Sequence, residues 1–225
     1  NSHRFSIDGY HLCSNTQCQV YKNPNRANSR VLSAIKSTAG KFLVWNGEPI
    51  HAVYHATNGG VMASSNEAWS IPSLPYLKAG FDGSILWREK FRLPLRSNSS
   101  VENFLSFNKG AFGNDHYRFR WKRLLTSREI KNALSSYYPA FDFPKNIKVL
   151  ERGESGRALS LQIVGSNEQS QLIIHLDNIR RIFRKLPSTL FVVKQLREGV
   201  WEFSGGGFGH GSGMSQAGAI DLAER

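Results

Sequence analysis

The stretch GGGFGHGSGMSQ, Gly205 to Gln216, decides how this sequence is read, because six of its first nine residues are glycine. Glycine loses more backbone entropy on folding than any other residue, so this density marks positive φ or very close backbone approach. The loop follows a strand ending near Ser204 and leads into SQAGAIDLAER, a short helix capped by Ser215. Strand, glycine loop and helix in that order suit a phosphate or dinucleotide site. Two facts weigh against it. The loop has no Lys-Ser/Thr pair, and the 12 residues after Gly213 leave no room for a βαβ unit with an acidic ribose ligand. A glycine floor carrying His210, Ser212, Ser215 and Gln216 suits a polar substrate lying flat across the backbone, as a sugar chain would. The alternative is a tight turn packed on the neighbouring sheet, with His210 simply hydrogen-bonded.

Working outward, LFVVKQLREGVWEF reads as a hairpin turning at Glu198-Gly199. NIKVLERGESGRALSLQIVG is strand pattern around a Ser155-Gly156 turn, with Leu159, Leu161 and Ile163 alternating. KFLVWNGEPIHAVYH predicts another hairpin, Asn46-Gly47 being the preferred pair for a type I′ turn between Phe42–Trp45 and Ile50–Tyr54. From His51 to His55 an extended strand covers roughly 13 Å, so the two histidines cannot share a metal ion. TSREIKNALSSYY is a helix, with Thr126 and Glu129 as its capping box and Pro139 beyond its end. The sum is an α+β fold, mainly antiparallel β, in one domain over residues 1–225 with a partly helical insertion or subdomain at about 90–143.

Basic residues outnumber acidic ones by 29 − 17 = 12, which predicts a basic surface and an acidic partner. No motif or basic–aromatic run points to nucleic acid. No apolar run approaches the length of a membrane span. The chain opens on Asn1 without an initiator Met and reads as a fragment or a processed product. The only cysteines are Cys13 and Cys18, a local disulfide, half of a metal site, or two thiols; a zinc site needs two further donors, His3 and His11 being nearest.

GFGHGSGMSQAGA closely resembles the GHGxGMSQxGA signature of the stage II sporulation protein D / amidase-enhancer family. Further segments match in the same order: CQVY at 18–21, IHAVYHATNGG at 50–60, EAW and LPYL within 67–77, SGRALSLQIVG at 155–165 and LPSTLF at 186–191. The resemblance implies peptidoglycan chemistry outside the cytoplasmic membrane. Sporulation members are lytic transglycosylases that cut peptide-stripped glycan strands and leave 1,6-anhydro ends; the amidase-enhancer branch implies a non-catalytic module that binds glycan or stimulates a cell-wall amidase. Cleavage needs one acid, because the sugar's own C6 hydroxyl is the nucleophile. The family's Glu sits in an EMP-like segment that would precede Asn1. Glu67 is the only internal carboxylate expected to substitute. Thr57, Tyr76, His210, Ser212, Ser215 and Gln216 are expected to line one groove, with His210 and Tyr76 positioning the sugar. Some relatives bind zinc through Cys and His near the second cysteine, where this chain has Gln17.

Overall fold

The computed structural model describes Ile7, Gly9, Cys13, Ser14 and residues 23–167 and 170–225, and divides into two compact units, Asn1–Ile50 and His51–Arg225. The first unit holds α1 (Ser29–Thr38) and a hairpin of β1 (Val44–Trp45) and β2 (Glu48–Pro49). Asn28 starts α1 by accepting from Val31 N, and the hairpin turns at Asn46 and Gly47 with φ of 51° and 84°. That is the expected turn. The strand expected at Ile50–Tyr54 is a correction: the backbone doubles back at Val53, whose N–H bonds His51 O. Only β3 (Tyr54–His55) is extended, and its partner is distant in sequence.

The second unit is α+β, mainly antiparallel. It contains β3, β4 (Val61–Met62), α2 (Ser65–Ala68), β5 (Gly80–Phe81), α3 (Ile85–Lys90), α4 (Asn98–Leu105), β6 (Arg120–Thr126) and α5 (Ser127–Ser135). There follow β7 (Pro144–Arg152), β8 (Ala158–Gly165), β9 (Gln171–His175), α6 (Asn178–Ile182), β10 (Phe191–Arg197), β11 (Val200–Gly206), β12 (Met214–Ser215) and α7 (Gln216–Glu224). One antiparallel sheet runs β7-β8-β9 and another β10-β11-β6. The period of two explains how they pack. Phe191 on β10 and Trp201 and Phe203 on β11 enter a core shared with Leu161 and Ile163 of β8. Val192, one residue on, points to the opposite face and joins Trp87, Phe91, Val101 and Phe104 in a second core, against α3 and α4. Residues 90–143, expected as an insertion or subdomain, supply β6 to one sheet, Ile130 and Leu134 to the first core, and α4 to the second. Among the described residues no helix is long and apolar enough to cross a membrane.

The elements around residues 53–83 and 207–215 are of another kind. β12 and β3 pair in parallel over two residues, β4 and β5 over two, and single bridges join Thr57 to Phe208 and Ala63 to Ser212.

Candidate functional site

The glycine loop is pressed against its own chain. A Cβ on Gly213, at φ +77°, would lie 2.2 Å from Val53 O, and one on Gly211, at φ +81°, 2.2 Å from Arg157 Nη2. No L-residue meets both demands without strain, which is why glycine stands there. The loop is sewn down by Phe208 N to Thr57 O (2.7 Å), Ala63 N to Gly211 O (2.9 Å), Met214 N to Val53 O (3.1 Å) and Ala217 N to Ala56 O (2.9 Å). Ser215 is the N-cap of α7, buried and accepting from Gly218 N at 3.2 Å.

His210 is half-buried at the crest of this loop. Its Nδ1 accepts from Ser212 N (3.2 Å), so Nε2 carries the hydrogen and donates to Tyr54 O (2.9 Å). His55 lies buried beneath it, its Nδ1 facing Ser212 O at 3.1 Å and the two rings 5.3 Å apart edge to face. Burial first, and then the charge of His210, pushes His55 down to about 3; burial likewise holds His210 at about 4, against the opposing pull of Asp177. Both imidazoles are neutral at physiological pH. The indole of Trp69, which ends α2, lies 4.7 Å from the His210 ring. Tyr54, whose carbonyl accepts from His210, and Gln216, on the first turn of α7, are both exposed.

Beneath it sits a buried ionic network. Arg157, wholly buried, donates from Nη1 to Val61 O (3.1 Å) and Ser155 Oγ (3.2 Å), and from Nη2 to Asn58 O (3.0 Å). Burial pushes its guanidinium down to about 10, opposed by the nearby Glu67 carboxylate. Glu67 accepts from Ser64 N (3.2 Å), Ser155 N (3.2 Å) and Ser155 Oγ. Arg120, without a carboxylate partner among the described residues, donates instead to Gly59 O (2.8 Å), Leu105 O (2.9 Å) and Phe107 O, tying the end of α4 to the 57–60 turn.

Of the expected groove residues, Thr57 is bridged to Phe208 and Ser215 is paired with His55, both at the glycine loop. The fold gathers His210 and Ser212 into one cluster with His55 and Trp69, neither of which was expected there. Thr57 is fully buried, with its Oγ1 accepting from Gly59 N at 3.3 Å. Tyr76 is half-buried and its hydroxyl accepts from His51 N at 3.3 Å. Gln216 is exposed on the first turn of α7. Glu67, 3% exposed, is the N3 residue of a capping box begun by Ser64. The sequence carried that signal, since Ser64-x-x-Glu67 is the capping-box spacing. Nothing comparable in sequence pointed to Arg157. Among the described residues no group of three His, Cys, Asp or Glu could hold a metal ion; the Cys13–Cys18 question, disulfide or zinc, involves Cys18, which lies outside the described residues.

A family model described as Domain of unknown function (DUF8618) matches residues 63–213. The chain is 28% identical over 214 residues to the Amidase enhancer of Bacillus subtilis, covering 88% of this chain and 30% of that protein. It is 24% identical over 211 residues to an uncharacterized protein of Brachyspira hyodysenteriae, covering 93% of this chain and 47% of that protein. The chain thus spans less than half the length of both curated relatives. The first similarity supports a relationship to amidase-enhancer proteins.

Proposed function

The chain belongs to the DUF8618 family, and on that premise we propose that it is an extracytoplasmic cell-wall module whose glycine-loop surface binds peptidoglycan glycan strands. The observation that carries this reading is the character of the surface around His210. The two imidazoles are uncharged, His210 is held by Tyr54 O and Ser212 N, and the Trp69 indole lies against its ring, with Tyr54 and Gln216 exposed. Uncharged imidazoles beside an indole suit a polyhydroxylated chain, whose C–H faces stack on rings while its hydroxyls find polar partners. The relative named Amidase enhancer supports a wall-related role, with an amidase or another wall-remodelling protein as partner. The net charge of +12 favours the anionic carboxylates and polymers of such a wall.

Binding is proposed here in preference to cleavage. Forming a 1,6-anhydro end requires an acid positioned within about 3 Å of the leaving oxygen. Glu67 does not serve, because its carboxylate is sealed beneath the surface and accepts hydrogen bonds from Ser64 and Ser155. The test is titration of this chain with peptide-stripped glycan, followed by mass spectrometry of the products. Expected are saturable binding that Trp69→Ala weakens, and little anhydro product. Absence of binding overturns the reading; rapid anhydro release abolished by Glu67→Gln would return the acid role to Glu67.

A further inference from the structure

A second site lies where α5 faces the segment after α6 across a groove of about 460 Å³. Its floor is apolar, made by Leu125, Ala133, Ile182 and Phe183. One wall is Glu129 and Asn132 on α5, three apart on one helical face, with Ser136 and Tyr137 just beyond its end. Arg184 and Lys185 form the other wall. Tyr137 remains 54% exposed although an apolar floor lies beside it, so the groove is not filled by its own chain.

The charges around the groove do not balance. Glu129 is the only acid in its lining, and it is already engaged, accepting from Thr126 N and Oγ1 and from Lys185 Nζ. Asp177 at the start of α6 is taken by Arg180 and Arg181. Within the lining Arg184 and Lys185 face Glu129 alone, an excess of 2 − 1 = 1, and Arg128, Lys131, Arg180 and Arg181 add positive charge on the two helices outside it. Arg184 is exposed on the rim, with no ion pair among the described residues.

We propose that this groove docks an acidic segment of a partner protein, one aromatic or aliphatic side chain seated on the apolar floor and flanking carboxylates meeting Arg184 and its basic neighbours. The floor decides between polyanions. A phosphate polymer or a nucleic acid would satisfy the charge and bury nothing on Leu125, Ile182 and Phe183, whereas a peptide does both. Its lining shares no residue with the proposed glycan surface, and its test does not depend on glycan binding.

The probe is a fluorescein-labelled peptide carrying a Leu-Trp pair flanked by Asp and Glu, read by polarisation against the whole chain, with a Lys-flanked version of the same peptide as control. Expected is saturable binding of the acidic peptide, at least about 10-fold weaker for the Lys-flanked one, a factor worth about 1.4 kcal/mol. Arg184→Glu should weaken it by a similar factor. Asn132→Trp, which fills the groove from an exposed helical position, should abolish it, and circular dichroism checks that both variants fold. The proposal is overturned if the acidic peptide does not bind, if Asn132→Trp leaves binding intact, or if polyphosphate competes as well as unlabelled peptide while a peptide lacking the Leu-Trp pair binds equally.

Discussion

The two halves of the second unit are built on different principles. In the body, strands of five to nine residues form two three-stranded ladders over a core of Leu161, Ile163, Phe191, Trp201 and Phe203. Around the glycine loop the strands are two residues long or single bridges, and side chains reaching across the sequence replace the ladder. Arg157 bonds carbonyls 96 and 99 positions away. The body is held by area and the loop region by a few hydrogen-bonded charges. Area is lost gradually under mutation, whereas a buried ionic network fails when one member goes.

The largest effect should therefore come from Arg157. Arg157→Met strands the carbonyls of Asn58 and Val61 and removes the charge linked to the Glu67 carboxylate through Ser155 Oγ, at about 1–3 kcal/mol for each buried group left unsatisfied. Ile163→Val in the body should cost only about 0.5–1.5 kcal/mol. The double variant Arg157→Met with Glu67→Gln sharpens the contrast, because it removes the stranded charge and should be less destabilised than Arg157→Met alone. Denaturant unfolding of the unsubstituted chain, Ile163→Val, Arg157→Met, Glu67→Gln and the double variant checks this; strict additivity of the last three would show that the network is not a unit.

The same contrast explains what could be read from sequence. The hairpin at Glu198-Gly199, the alternation of Leu159, Leu161 and Ile163, and the Thr126 capping box follow local periodicity and local capping, and all appear in the fold. The strand expected over Ile50–Tyr54 does not, because its pairing partner is Met214–Ser215, which periodicity within one window cannot supply. At the loop, glycine spacing announced close approach without saying to what. The answer is Val53, Thr57 and Arg157 of the same chain. His55, read as an ordinary strand residue, lies buried under His210, and Trp69 stands beside it for the same long-range reason.

A smaller effect, and one confined to the loop region, should appear with pH. His55 and His210 have folded values of about 3 and about 4, below the ordinary 6.5. The unfolded chain therefore takes up protons first as pH falls. Their contribution to stability is complete above about 6.5 and is lost as pH falls below it toward 4. One pH unit below 6.5 the loss should be roughly 3 kcal/mol for the pair, at about 1.4 kcal/mol per unit and histidine. The geometry agrees, since protonating Nδ1 of His210 would turn it against the Ser212 N–H it now accepts from. Hydrogen exchange between pH 7 and 5.5 should show residues 54–60 and 207–213 losing protection before 158–165. Equal loss in both would mean that the histidines do not govern the loop, and His210→Gln should flatten the pH slope.

The smallest effect compares two helix caps of the same chemistry. Thr126 caps α5 in the body and Ser215 caps α7 at the loop, each accepting one backbone N–H three residues on. Removing such a cap costs about 0.5–2 kcal/mol, and the surroundings decide where in that range each falls. Thr126 is exposed, so water can replace its hydroxyl, and the Glu129 carboxylate still accepts from Thr126 N. Ser215 is buried, as is Gly218, whose N–H would be left without an acceptor and without water. Ser215→Ala should therefore lie near the upper end, about 2 kcal/mol, and Thr126→Ala near the lower, about 0.5 kcal/mol. Thermal unfolding of the two variants reads the difference directly. Equal losses would mean that the loop region admits solvent to Gly218, and that its hydrogen bonds are no more shielded than those on the surface of the body.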